Sequence, residues 1–166
     1  QPTANFYRTA TDAQDTVESI SQLFLGARLQ CAKCHNHPFE RWTQDNYYGL
    51  TAFFNRVQRK KSPRGEELVI YSSHSGEVTQ PRTGKQMKPW LPGQGEIEPP
   101  RTGDRRQPFV DWLTAKDNGM FAKVEANRLW TFVMGRGIVD PPDDFRESNP
   151  PSNVALLDAL AKDFSE

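Results

Sequence analysis

Residues 13–35 read Ala13-Gln14-Asp15-Thr16-Val17-Glu18-Ser19-Ile20-Ser21-Gln22-Leu23-Phe24-Leu25-Gly26-Ala27-Arg28-Leu29-Gln30-Cys31-Ala32-Lys33-Cys34-His35. Ala13, Val17, Ile20, Phe24, Ala27 and Cys31 recur at alternating steps of four and three, the spacing of one face of an amphipathic helix. Thr11 or Asp12 stands where an N-cap acceptor belongs. Read this way, the helix runs straight into Cys31-Ala32-Lys33-Cys34-His35 and delivers both cysteines to its buried side. The fold is therefore expected to be mainly α, with its chemistry at the end of the first long helix.

Outward from that stretch, His37-Pro38 predicts a break, because proline biases the residue before it away from the helix. Thr43 then caps a second helix with Tyr47, Leu50, Phe54 and Val57 on one face, flanked by Tyr48 and Phe53. The run Gln58 to Gly65 is basic, ends in Ser62-Pro63-Arg64-Gly65, and reads as a solvated loop. Leu68 to Tyr71 is a strand whose expected partner is 76–79, across a turn at Ser75-Gly76. Nine prolines and glycines between Pro81 and Gly103 predict a long irregular connection.

Regular structure resumes at Asp104. A short helix carries Phe109, Trp112 and Leu113. A longer one with Phe121, Val124, Leu129, Phe132 and Val133 stops at Gly135, and Ser152 caps a last helix with Val154, Leu157, Leu160, Ala161 and Phe164. About five helices and one small hairpin result. They divide as 1–80 around the cysteine motif, 81–103 as the Pro/Gly-rich connection, and 104–166 as a second helical unit packed on the first.

The 166 residues hold 21 basic and 21 acidic side chains, so no bulk field draws the chain to nucleic acid or an anionic membrane. No apolar stretch approaches the roughly 18 residues of a membrane span. Mean hydropathy is −0.76, so the core must be built largely from 10 Phe, 4 Trp and 4 Tyr. No leader pattern precedes Gln1, so a targeting segment is either absent or removed. Two cysteines in one motif are not a disulfide framework. No Ser-His-Asp, phosphate-loop or dinucleotide pattern occurs.

Cys31-Ala32-Lys33-Cys34-His35 has the Cys-x-x-Cys-His spacing of a c-type haem attachment site. On one helical turn two thiols can form thioethers to a haem while the following histidine ligates iron. The cofactor expected is a covalent haem c on Cys31, Cys34 and His35. Two other readings stay open. Cys31, Cys34, His35 and His37 could bind zinc or non-haem iron, although four ligands within seven residues demand a tight wrap. A thioredoxin-like pair expects a strand before the motif, where a helix is predicted instead.

The iron's opposite side has Met87 and His74 as candidate ligands, Met87 for its place in the loop Gly84 to Pro89. His37 is an alternative, but fits better as a hydrogen-bonding residue of the turn. Met120 is a further candidate, and Met134 suits a helix core. A closed iron suits electron transfer; an open one permits peroxidase or oxidase chemistry. Trp42, Tyr47, Tyr48, Phe53 and Phe54 suit a core or a haem face. Asp140 to Asp144 suit a cation site or, better, turn carboxylates paired with Arg136 or Arg146.

The run from Phe24 to Asp45, with Cys31-Ala32-Lys33-Cys34-His35-Asn36-His37-Pro38-Phe39 at its centre, resembles the planctomycete cytochrome C type domain. Asp111-Trp112-Leu113, Asn127-Arg128-Leu129-Trp130, Gly135 to Pro141, Asp144-Phe145-Arg146 and Ser148 to Ser152 resemble the planctomycete domain of unknown function that accompanies it. Gly76-Glu77-Val78 and Pro81 to Lys85 resemble the segment that joins the two. The resemblance implies export and a larger parent protein of which this chain is a piece; with the haem motif, the expected role is electron transfer in an exported, periplasmic multi-component assembly with a redox partner protein. Within it the chain would be an electron carrier sooner than an enzyme.

Overall fold

A computed structural model describes residues 2–63, 65 and 67–166; Arg64 of the basic run lies outside the described residues. Six α-helices and three two-stranded antiparallel sheets make up the regular structure among them. A 3₁₀ turn leads into α1 (Phe6–Thr9), then α2 (Ala13–Phe24). Asp12 caps α2: its Oδ1 accepts from the Gln14 and Asp15 amides, both at 2.8 Å.

The apolar stripe does not continue as helix to Cys31. Helix α2 ends at Phe24, where the amides of Leu25 and Ala27 both donate to the Ser21 carbonyl at 3.0 Å. Gly26 makes the turn with φ of +59°, a left-handed conformation that costs other residues free energy. Ala27 and Leu29 are buried in the loop beyond it. Cys31 then lies in a separate 3₁₀ turn, Gln30–Lys33, with Cys34 as its C-cap, and both cysteines are exposed. They do not reach the buried side.

Helix α3 (Gln44–Phe54) begins in a capping box: Thr43 Oγ1 accepts from the Asn46 amide at 3.1 Å, and Asn46 Oδ1 accepts from the Thr43 amide at 2.9 Å. It is buried almost all round, so it forms the axis of the larger core. Tyr47, Tyr48, Phe53 and Phe54 all lie inside, and Phe109 packs on the Phe53 and Phe54 rings at 5.6 and 5.5 Å.

Three hairpins replace the single one expected. β2 (Leu68–Ser72) pairs with the preceding β1 (Val57–Lys61), with Val57 opposite Ser72 and Lys61 opposite Leu68. The first half of the basic run, residues 58–61, is thus strand, and Val57 opens that strand instead of closing α3. Its charges have local partners: Arg59 donates to the carbonyls of Tyr7 and Ala10, and Lys60 lies over the Tyr71 ring. β3 (Val78–Thr79) pairs with β4 (Gln86–Met87), and β5 (Trp90–Leu91) with β6 (Gly95–Glu96). Most of the connection expected to be irregular is therefore turns between short strands. Gln80 holds the first turn, its Oε1 accepting from the Thr83 amide at 2.7 Å and its carbonyl from the Gly84 amide at 2.9 Å.

Helices α4 (Gln107–Leu113), α5 (Gly119–Met134) and α6 (Val154–Ser165) complete the chain. Asn153, not Ser152, caps α6; the Ser152 hydroxyl donates to the Ile138 carbonyl at 2.9 Å. A second, smaller core holds Ile138, Val139 and Leu157, with Trp130 and Phe145 against them. Leu129, Phe132 and Val133 are not core: α5 buries Ala122, Val124, Ala126 and Asn127, and Phe132 is 89 % exposed.

The second half meets the first at the end of α2. Phe121 packs edge-on against both Phe24 and Phe164. Arg128 Nη2 donates to the Gln22 and Leu23 carbonyls at 3.3 and 3.1 Å, satisfying acceptors that the helix end leaves open. The Phe145 amide donates to the Gly26 carbonyl at 2.8 Å. Asp143 takes hydrogen bonds from Gln22 and, at 2.7 Å, from Arg28. No helix among the described residues is long and apolar enough to cross a membrane.

Candidate functional site

The Cys31 carbonyl closes the motif into one turn, accepting from the Cys34 and His35 amides, each at 3.3 Å. Buried Ala32 anchors the turn while Cys31, Cys34 and His35 face outward. A spacing of three and four residues places both thiols and the imidazole on neighbouring positions of one helical surface. The turn does not hold itself. The Lys33 carbonyl accepts from Gln44 Nε2 at 3.0 Å and from the Tyr48 hydroxyl at 3.2 Å, and the Gln44 amide donates to Asn36 Oδ1 at 3.0 Å.

Gln44 is itself held from behind. Gln80 Nε2 donates to Gln44 Oε1 at 3.1 Å, and both amide side chains are buried. A buried polar chain thus runs from the motif through α3 to the β3–β4 hairpin. It is costly to leave half-made and so fixes geometry. Beside it, the Tyr47 hydroxyl donates to Glu18 Oε1 at 2.7 Å. Burial, then the hydrogen bond and charge of Glu18, hold the Tyr47 phenol well above its ordinary range, so it stays a donor.

The two histidines of the motif differ. His35 Nδ1 lies 2.7 Å from the Asn36 carbonyl. With Nδ1 turned to a carbonyl, Nε2 is the ring nitrogen left to face a metal, an arrangement common to ligating histidines. His37 instead belongs to the turn: its amide donates to the Trp42 carbonyl at 2.8 Å and its Nδ1 accepts from the Phe39 amide at 3.3 Å. Among the described residues no three His, Cys, Asp or Glu side chains are gathered closely enough to hold a metal ion.

The other candidates are dispersed. Met87 is not in an irregular loop: it sits in β4 opposite Val78, 2 % exposed in the larger core. His74 is exposed at the bend after β2. Met134 is exposed at the end of α5 instead of packing in a core. Met120 lies half-buried at the start of α5. The acidic run is paired: Asp140 with Arg136 at 3.5 Å, Asp143 with Arg28, and Asp144 with Arg146 at 3.1 Å.

Two adjoining clefts open beside the motif. One, of about 230 Å³, is lined by Cys31, His37 and Arg28. The other, of about 510 Å³, lies along the seam between the halves and is lined by Leu25, Met120, Val139 and Leu157. Glu40, Trp42, Phe145 and Arg146 line both. Phe145 and Arg146 are 114 and 115 positions beyond Cys31 (145 and 146 minus 31), so no local pattern links them to the motif. Gln44 and Gln80 also escaped sequence reading, since a glutamine near a helix start or in a turn carries no signal of burial.

Comparison with known proteins returned no matching curated protein and no matching solved structure. Two family models match in succession, and they leave the hairpins β2 to β6 between them. Residues 2–59 match PSCyt2, a protein of unknown function (DUF1549), and residues 105–166 match PSD1, a protein of unknown function (DUF1553). The chain thus carries matches to two planctomycete-type domains of unknown function, the first holding the cysteine motif and the second supplying Phe145 and Arg146 across the cleft.

Proposed function

We propose that the chain carries one covalent haem c, attached through Cys31 and Cys34 with His35 on the iron, and passes electrons to a redox partner protein within an exported, periplasmic assembly. The observation that carries this reading is the His35 ring: its Nδ1 is committed to the Asn36 carbonyl and its Nε2 is free, on the same turn as two exposed thiols. A haem asks for one such donor atom. A zinc or non-haem iron site would instead ask for three or four side chains on one ion.

The cleft at Cys31 is smaller than the roughly 300–1,000 Å³ of sites that enclose a ligand. Cys31, Cys34 and His35 would hold the macrocycle, and Trp42 and Phe145, which line the adjoining cleft, would offer it apolar surface. An exposed cofactor edge suits transfer to a docked partner better than an enclosed chemistry. When bound, haem supplies one-electron chemistry at iron; the chain's part is to hold the turn rigid through Gln44, Tyr48 and Gln80.

The test is expression in a periplasm with c-type maturation. One haem per chain is expected, retained under denaturing conditions and giving a c-type pyridine haemochrome. Cys31→Ala with Cys34→Ala should abolish attachment. A colourless protein carrying zinc under the same conditions overturns the reading. Rapid turnover of peroxide by the haem form would instead favour the peroxidase alternative.

A further inference from the structure

The seam cleft holds a charge without a counterpart. Of the ionised groups around its 510 Å³, Lys123 pairs with Asp158 at 2.7 Å and Arg146 with Asp144 at 3.1 Å. Arg41 lies over the Trp42 ring, 5.4 Å from its centroid. Glu40 has neither an ion pair nor a hydrogen bond, and its Oε1 is buried. Glu147, exposed at the rim, adds a second negative charge. A buried carboxylate oxygen left without a donor is costly, and water or a ligand donor can satisfy it. The walls beside it are apolar: Leu25, Trp42, Met120, Val139, Phe145 and Leu157.

We infer that the seam cleft is a binding site for a small organic cation, an ammonium group on an aryl or alkyl body. The ammonium donates to Glu40 Oε1, and the body covers the Trp42 and Phe145 side of the cleft. A neutral apolar ligand would leave the orphan oxygen unmet; an anion would face Glu40 and Glu147, with Arg41 held over the Trp42 ring on the same cleft. The volume lies within the range of sites for small molecules. Both halves contribute, Glu40 and Trp42 from the first and Phe145 from the second, so the site exists only in the joined chain. Cys31 lines the neighbouring cleft and not this one, but Glu40, Trp42, Phe145 and Arg146 line both, so the haem-free chain is the form to titrate.

The experiment titrates the full chain with 2-phenylethylammonium, read by calorimetry and by tryptophan fluorescence, with 2-phenylethanol as the neutral counterpart. Saturable binding of the amine is expected, at least about tenfold tighter than the alcohol, since charge-assisted hydrogen bonds are the strong ones. Glu40→Gln should remove that preference by about tenfold while leaving circular dichroism unchanged. Trp42→Phe should erase the fluorescence response, and Lys85→Ala, which lies outside the cleft and pairs with Glu96, should not change affinity for the amine. Absence of saturable binding, equal affinity for amine and alcohol, or full retention in Glu40→Gln overturns the inference, and leaves Glu40 as a carboxylate met by water.

Discussion

The two halves of the molecule are built on opposite economies of burial. In the first, α3 is enclosed on nearly every side, and five aromatic side chains from Trp42 to Phe54 share one core with α2 and Phe109. In the second, α5 is the longest helix, yet it buries small residues and leaves Leu129, Phe132 and Val133 on the surface. Its own core is three buried residues with a partly buried ring around them. The second half gains its order by leaning on the first, through Arg128 on the end of α2, Phe121 on Phe24, and the Phe145 amide on Gly26. The motif is therefore seated on the stable half, and the cleft beside it is closed by the dependent one.

The largest expected effect is on the first core. Phe53→Ala should cost about 3–5 kcal/mol, because a fully enclosed ring leaves a cavity; chemical denaturation measures it, and a loss under about 1 kcal/mol would mean the core is loosely packed. Gly26→Ala strikes the seam. An added Cβ would stand 2.6 Å from Phe145 Cδ2 and 2.9 Å from Val124 Cγ2, on a backbone at φ +59°. A cost of about 2–4 kcal/mol follows from strain and overpacking together. Hydrogen exchange should show the α5–α6 region opening first. Equal loosening of α3 would break the distinction between the halves.

Asn127→Ala tests the second core from within. Its side chain is fully buried and bonds both the amide and the carbonyl of Val139 at 2.9 Å, so the change strands two backbone groups. About 2–3 kcal/mol is expected, measured by thermal melting. Smaller again is the acid dependence carried by Glu77. Burial raises its pKa, but hydrogen bonds from Arg105 and Arg56 outweigh burial and hold it below its ordinary 4.5. A depressed folded pKa means that stability is present above the unfolded value and is lost as pH falls through the folded one. Glu77→Gln should flatten that part of the stability profile below pH 4.5; an unchanged profile would remove the carboxylate from the account. Smallest is Phe132→Ser, expected within about 0.5 kcal/mol because the ring is already in water.

Much of the local structure was legible. Asp12 and Thr43 cap helices because their side-chain oxygens reach amides two or three residues on, which is a matter of short spacing alone. The Cys-x-x-Cys-His turn was likewise readable, and so was the pairing of the acidic run with Arg136 and Arg146. The strand at Leu68 was recognised by composition, but its partner was not. The strand pairs with 57–61 in place of 76–79, and Arg59 of that partner is held by the carbonyls of Tyr7 and Ala10, some fifty residues away. The periodicity that seemed to carry α2 on to Cys31 failed for a reason the apolar pattern does not encode. Gly26 lets Phe145 approach to contact, and that approach belongs to the second half.

By itself the sequence determined which residues could do chemistry and where helices could begin, because both follow from side-chain types at fixed short spacings. Only the tertiary structure decided which faces are covered. It turned Cys31 and Cys34 outward, enclosed Met87, exposed Phe132 and left Glu40 without a partner. Burial is a property of what arrives from far along the chain, and no window of neighbouring residues contains it.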